Sequence, residues 1–167
     1  MKDKIYHILF LCTGNSARSI MAEALLNTRG KGRFRAFSAG SYPVGRVHPL
    51  AIELIKTLDY PLENLRSKSW HEFTEPSAPA MDFIITVCDN AAAETCPIWP
   101  GQPIAAHWGF MDPAQVVGND EEKRFAFKRV FQQISKRIDL LVNISLESLD
   151  QKALQAHLKK IGETDEP

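Results

Sequence analysis

The chain has no surplus of charge of either sign: 20 Lys and Arg stand against 20 Asp and Glu in 167 residues. A surface built for nucleic acid or an anionic membrane leaves a positive excess, so neither is expected as a partner. Long apolar runs are missing as well. The longest, around Ile8–Leu11, falls far short of the ~20 residues that cross a bilayer. Lys2 and Lys4 lead into no signal-peptide core and no small-residue cleavage site, which makes the cytoplasm the expected compartment. Cysteine is scarce and odd in number, at three. That excludes a closed set of structural disulfides, and in a reducing compartment it points to chemistry. With no fourth Cys or His at zinc-ligand spacing, no metal is expected. The GxxxxGK[ST] pattern is absent too, which excludes a nucleoside-triphosphate loop. No repeat or low-complexity tract interrupts the chain, whose length suits one domain with a core that needs no staples.

Apolar patterning fills this frame with alternating elements. Ile5–Leu11, Arg33–Ser38, Asp82–Val87 and Gln102–Ala106 read as strands. Helical spacing marks Ser19–Thr28, His48–Leu58 and a long helix from Asp120 to Ile144 with Phe127, Val130, Phe131, Ile134, Ile138 and Leu141 on one face. A short amphipathic piece covers Ser69–Phe73, before a Pro-rich loop around Pro76 and Pro79. Ser148-Leu-Asp-Gln151 matches a capping box and predicts a last helix of about 13 residues, carrying Leu154, Leu158 and Ile161 and ending at Gly162. Such an order implies an α/β fold: a parallel sheet covered by helices on both faces, with function at the carboxyl ends of its strands. Cys12, Cys88 and His107 each follow a predicted strand.

The most informative stretch is Cys12-Thr13-Gly14-Asn15-Ser16-Ala17-Arg18-Ser19, between the first strand and the first helix. A strand, a loop of small residues and a helix N-terminus converge N–H groups on one point and make an oxyanion cradle. The same field lowers the pKa of a thiol placed there and favours the thiolate. Spacing alone does not decide this, since a bare C-x5-R arises by chance about once in six such chains. What decides it is the context: Gly14, Asn15 and Ser16 suit the tight turns a cradle needs, and Ser19 can donate to the sulfur. A nucleophilic cysteine beside a bound anion means attack on phosphate or a phosphate analogue.

This loop resembles the phosphate-binding loop of the low-molecular-weight protein tyrosine phosphatase superfamily, in particular its arsenate reductase branch. The resemblance implies a single-domain, three-layer, flavodoxin-like fold with a four-stranded parallel sheet over residues 1–144, followed by an extra helical extension over 145–167. It implies Cys12 as nucleophile and Thr13, Gly14, Asn15, Ser16, Ala17 and Arg18 as the oxyanion site, with Ser19 in support. His107-Trp-Gly-Phe-Met-Asp112-Pro113-Ala114 resembles the superfamily's general acid loop, with Asp112 as the acid. Tyrosine phosphatases of this size follow Asp-Pro with an aromatic, whereas Ala114 follows here, and the His-Trp-Gly-Phe lead-in is closer to the reductases. Glu23 and Ser38 are similar to residues that support the loop or bind a monovalent cation in some arsenate reductases, and Ser69 stands where an acidic cation ligand is expected.

Cys88 and Cys96 separate the two branches. A phosphatase needs one cysteine, but a reductase supplies two electrons and needs a second thiol to attack the first. Thioredoxin-coupled arsenate reductases carry such a pair, here one residue further apart than in their best-known members. A Cys88–Cys96 disulfide needs Cα atoms within about 4.4–6.8 Å, whereas eight helical residues span about 12 Å, so a helix there has to unwind. The resemblance implies an arsenate reductase with no tightly bound cofactor, recycled by thioredoxin or by glutaredoxin and glutathione. Two alternatives remain open: a tyrosine phosphatase with a redox-protected nucleophile, and a non-enzymatic oxyanion-binding redox sensor.

Overall fold

A computed structural model describes residues 4–88 and 99–163 of the chain. Its centre is a four-stranded sheet of β1 (Tyr6–Cys12), β2 (Phe34–Gly40), β3 (Phe83–Thr86) and β4 (Ile104–His107), ordered β2-β1-β3-β4. Every pairing is parallel, and Leu9 lies opposite Phe37 on one side and Ile84 on the other. Parallel pairing requires crossovers, which carry the helices α1 (Arg18–Arg29) and α2 (Pro49–Lys56); two further helices, α3 (Asp120–Val142) and α4 (Gln151–Gly162), follow the last strand and pack on the same framework. The α/β reading of the sequence holds.

The two-residue period of β1 sorts its side chains between two cores. Ile8, Phe10 and Cys12 face a large core with Ile20, Met21 and Leu25 of α1, Phe127, Val130, Ile134 and Ile138 of α3, and Leu154, Leu158 and Ile161 of α4. Leu9 and Leu11 face a smaller one with Met81, Ile84 and the 3₁₀ turn Trp70–Phe73. Both faces of β1 are covered, which is why its sequence reads as an unbroken apolar run rather than an alternation.

Element ends differ from the sequence expectations where loops take over the backbone. The fourth strand begins at Ile104 because Gln102 turns at φ 51°. The predicted second helix stops at Lys56, two residues before Leu58, and Asp59 follows at φ 56°. The last helix corrects the predicted capping box. Ser148 belongs to the 3₁₀ turn Leu146–Ser148, where its hydroxyl donates to the Ser145 carbonyl at 2.9 Å. Asp150 caps instead, its Oδ1 accepting from the Ala153 N–H at 2.8 Å. Once Ser148 is bound locally, the next oxygen-bearing side chain takes the cap.

The same helix is seated on β4 by a polar contact in the core. Trp108 is fully buried, and its indole N–H donates to the Leu158 carbonyl at 2.9 Å. Gly162 lies so close to the end of β4 that a Cβ on it would sit 2.4 Å from the His107 carbonyl oxygen.

Candidate active site

The order β2-β1-β3-β4 puts the switch point of the sheet at β1, whose successors leave to opposite sides, and in open α/β sheets the crevice that takes a ligand lies beyond the strand ends at that point. Cys12 is the last residue of β1, and Cys88 follows β3 by two residues. Both thiols are 3% exposed. The Thr13 hydroxyl lies 3.7 Å from Cys88 Sγ, so the two cysteines flank one point of the crevice. Cys96 lies outside the described residues.

The loop after Cys12 is held from its outer side. Its carbonyls accept from the segment after β2: Thr13 from the Tyr42 N–H (3.0 Å), Gly14 from the Val44 N–H (3.0 Å), Ser16 from the His48 N–H (2.8 Å). The Ser67 hydroxyl adds a bond to the Gly14 carbonyl at 3.1 Å. In a planar trans peptide the N–H points opposite to the carbonyl. Fixing these carbonyls outward therefore aims the N–H groups of Gly14, Asn15 and Ala17 inward. Ala17 O accepts from Met21 N as α1 begins, which aims the Arg18 N–H the same way. The cradle expected from small residues thus has a physical cause in the neighbouring backbone.

Asn15 is the residue that pins the curve. It is fully buried, adopts φ 46°, and makes two side-chain bonds. Its Oδ1 accepts from the Lys68 N–H at 2.9 Å, and its Nδ2 donates to Ser19 Oγ at 2.7 Å. Ser19 Oγ, occupied as an acceptor, has its own proton for Cys12 Sγ, 2.9 Å away. Burial pushes the Cys12 thiol above its ordinary pKa, against the Ser19 hydrogen bonds and the Arg18 charge, which pull it down. The lowered thiol expected from the loop's field therefore meets an opposing desolvation, and Ser19 is the principal counterweight.

Gly40, at the end of β2, closes the loop from below. A Cβ there would lie 2.4 Å from the Thr13 carbonyl oxygen and 2.9 Å from that of Cys12. Neither backbone atom can move without opening the cradle. Gly40→Ala is expected to destabilise the fold by about 1–3 kcal/mol, as overpacking does, and to weaken inorganic phosphate binding. Thermal melts with and without phosphate check both.

Across the crevice, Arg18 joins the loop to the segment after β4. Its guanidinium donates to the Phe110 carbonyl at 2.9 Å and lies 3.5 Å from Asp112 Oδ2. The other Asp112 oxygen accepts from the Ala114 N–H at 3.0 Å, forming the turn that Pro113 stiffens. Behind this segment stands Arg137 of α3, 6% exposed, which donates to the Gly109 carbonyl at 3.1 Å and lies 4.4 Å from the Phe110 ring centroid. The structure thus brings Cys12, Arg18, Asp112 and Cys88 to one crevice. Arg18→Lys keeps the charge but loses the planar fork. We expect it to cut catalytic efficiency on the order of a hundredfold or more, with weaker inhibition by phosphate in steady-state assays.

Sequence reasoning missed three supports, Ser67, Lys68 and Arg137. None belongs to a local pattern, and Arg137 sits among apolar neighbours on the core face of a helix. Lys68 and Glu23, with side chains 9% and 13% exposed, lie 3.9 Å apart beside Ser38. Ser69 turns its hydroxyl to the His71 N–H as the cap of the 3₁₀ turn. The charge lodged beside Glu23 and Ser38 is the Lys68 ammonium.

A family model described as low molecular weight phosphotyrosine protein phosphatase matches residues 7–157. The chain belongs to this family. Among its curated relatives, the arsenate reductase of Halalkalibacterium halodurans is 38% identical over 131 residues, covering 78% of this chain and 91% of the relative. That of Bacillus subtilis is 36% identical over 138 residues, covering 83% and 94%. A solved arsenate reductase from Archaeoglobus fulgidus superposes with a TM-score of 0.63 at 30% identity, over 82% of this chain and 99% of the other. These similarities agree with the arsenate reductase branch to which the loop pointed.

Proposed function

We propose that the chain reduces arsenate to arsenite with Cys12 as nucleophile and Cys88 as the second thiol. The observation that carries this is the placement of two buried cysteines at one crevice, Cys12 bonded to Ser19 and Cys88 in contact with Thr13. Hydrolysis has no use for the second sulfur; reduction does.

Arsenate binds in the loop through inward N–H groups of residues 13–18 and the Arg18 guanidinium, whose paired N–H groups match two oxyanion oxygens. Binding draws Arg18 from Asp112 toward the anion. The Cys12 thiolate attacks arsenic and forms the S–As bond, while Asp112 gives a proton to the departing oxygen so that it leaves as water. The Cys88 thiolate then attacks Cys12 Sγ. The S–As bond breaks with its electron pair on arsenic, which leaves as arsenite, and a Cys12–Cys88 disulfide remains. Cys96 attacks Cys88, frees Cys12 and passes a Cys88–Cys96 disulfide to a reducing dithiol such as thioredoxin, in a cytoplasmic setting. Glutaredoxin with glutathione is the other carrier of the same chemistry.

Arsenate-dependent NADPH oxidation coupled to thioredoxin and thioredoxin reductase, and in parallel to glutaredoxin and glutathione, tests the proposal. Arsenite formed in step with NADPH consumed supports it. No arsenite with either carrier, beside efficient phosphotyrosine hydrolysis, overturns it in favour of the phosphatase. Slow aryl phosphate hydrolysis is expected in any case, because Cys12, Arg18 and Asp112 are the set that hydrolysis needs.

A further inference from the structure

Beneath the loop lies a charge cluster that the proposed steps do not use. Glu23 stands one helical turn after Ser19 on α1, on the same face. It is partly buried, its side chain 13% exposed, and its Oε1 accepts from the Ser38 hydroxyl at 2.6 Å. A carboxylate in that position is expensive to desolvate and repels an anion or thiolate above it. Burial accordingly pushes the Glu23 carboxyl above its ordinary pKa, while the Lys68 charge pulls it down.

Lys68 reaches this cluster with both halves of the residue. Its ammonium donates to the Arg66 carbonyl at 2.9 Å and to Ser38 Oγ at 3.5 Å, and lies 3.9 Å from Glu23 Oε1. Its main chain receives the Gly40 N–H at 2.9 Å and gives its own N–H to Asn15 Oδ1 at 2.9 Å. From Asn15 the bonds run to Ser19 and then to Cys12 Sγ. One residue thus joins the end of β2, the first turns of α1 and the turn of the loop.

We propose that Lys68 is a positioning residue whose ammonium neutralises Glu23 beneath the loop, so that the loop receives an anion without the field of an unpaired, partly buried carboxylate. The inference rests on Cys12 and its loop being the anion-binding centre. Within it, what matters is the balance of the two partly buried charges rather than the lysine as such. Removing the ammonium alone exposes the loop to Glu23, and removing both charges restores neutrality.

The probe is inorganic phosphate, read as protection of Cys12 from iodoacetamide, with the alkylated cysteine identified by peptide mass spectrometry. Wild-type protection checks the underlying reading; if phosphate does not protect Cys12, the anion is not bound there and both readings fall. With wild type protected, Lys68→Ala is expected to need about tenfold more phosphate for half-protection, a difference of about 1.4 kcal/mol. Added ethylammonium, which can enter the space left by the side chain, is expected to recover most of that loss and to leave wild type unchanged. Glu23→Gln/Lys68→Met is expected to return to within about threefold of wild type, because the tenfold loss is a coupling of the size seen between residues in contact. Phosphate protection in Lys68→Ala equal to wild type overturns the proposal. So does a loss that ethylammonium fails to recover and the double variant shares, which marks Lys68 as packing only. If Lys68→Ala fails to fold, the double variant decides alone: near-wild-type protection upholds charge balance, and weak protection rejects it.

Discussion

Cys12→Ser is expected to abolish arsenate reduction and aryl phosphate hydrolysis together, leaving both at background. Each reaction opens with the same sulfur attacking the same bound tetrahedral centre, and a serine hydroxyl is not ionised by the groups that surround it. The surroundings sharpen this. Cys12 is 3% exposed and α1 begins six residues later. Burial works against the thiolate, and the Ser19 hydrogen bonds are the largest effect working for it, ahead of the Arg18 charge. Ser19→Ala is therefore expected to move the pH profile of Cys12 alkylation to higher pH, because the removed bond favoured the charged form. Activity at neutral pH falls with it and recovers in part as pH rises. An alkylation profile that stays in place, or moves down, contradicts the role given to Ser19. Anion binding is a separate readout: Cys12→Ser retains the loop and should still bind phosphate, so loss of both would indicate a collapsed loop rather than a missing nucleophile.

The strands, the long helix and the loop were readable because each is a local pattern. Ile8–Leu11 is apolar on both faces and must be buried on both, and residues 12–19 combine a strand end, small residues and a helix start within eight positions. Asp112 was readable through Asp-Pro and its lead-in. What could not be read are contacts that exist only when distant segments meet. Ser67 and Lys68 stand 53 positions from Gly14 and Asn15, which they hold. Arg137 reaches back 28 positions to Gly109. A charged side chain on an apolar helix face gives no sequence sign of which carbonyl it will serve. The cap of the last helix shows the local version of the same problem. Ser148 and Asp150 are both good caps, and the choice fell to Asp150 because a 3₁₀ turn had already engaged Ser148.

The second cysteine gives the sharper test. Cys88→Ser is expected to eliminate multiple-turnover arsenate reduction while leaving hydrolysis of a small aryl phosphate within about a factor of a few of wild type, since an interaction absent from a reaction's transition state costs that reaction little. Hydrolysis needs Cys12, Arg18, Asp112 and water. Reduction needs a sulfur that can accept the bond to Cys12 Sγ as arsenic takes the electron pair, and a serine oxygen does not form that bond. The Thr13 hydroxyl beside Cys88 places this sulfur at the edge of the loop, so the substitution changes one atom at the crevice and no part of the anion cradle. Cys96→Ser differs in kind. One arsenite per chain is expected, with the protein trapped as a Cys12–Cys88 disulfide that mass spectrometry reads as a linked peptide pair. Equal loss of reduction and hydrolysis in Cys88→Ser would mean that Cys88 serves the loop's structure rather than the electron transfer. Normal turnover of Cys96→Ser with glutaredoxin and glutathione would keep the two-electron chemistry, remove Cys96 from the relay, and send the Cys12–Cys88 disulfide directly to the external thiol.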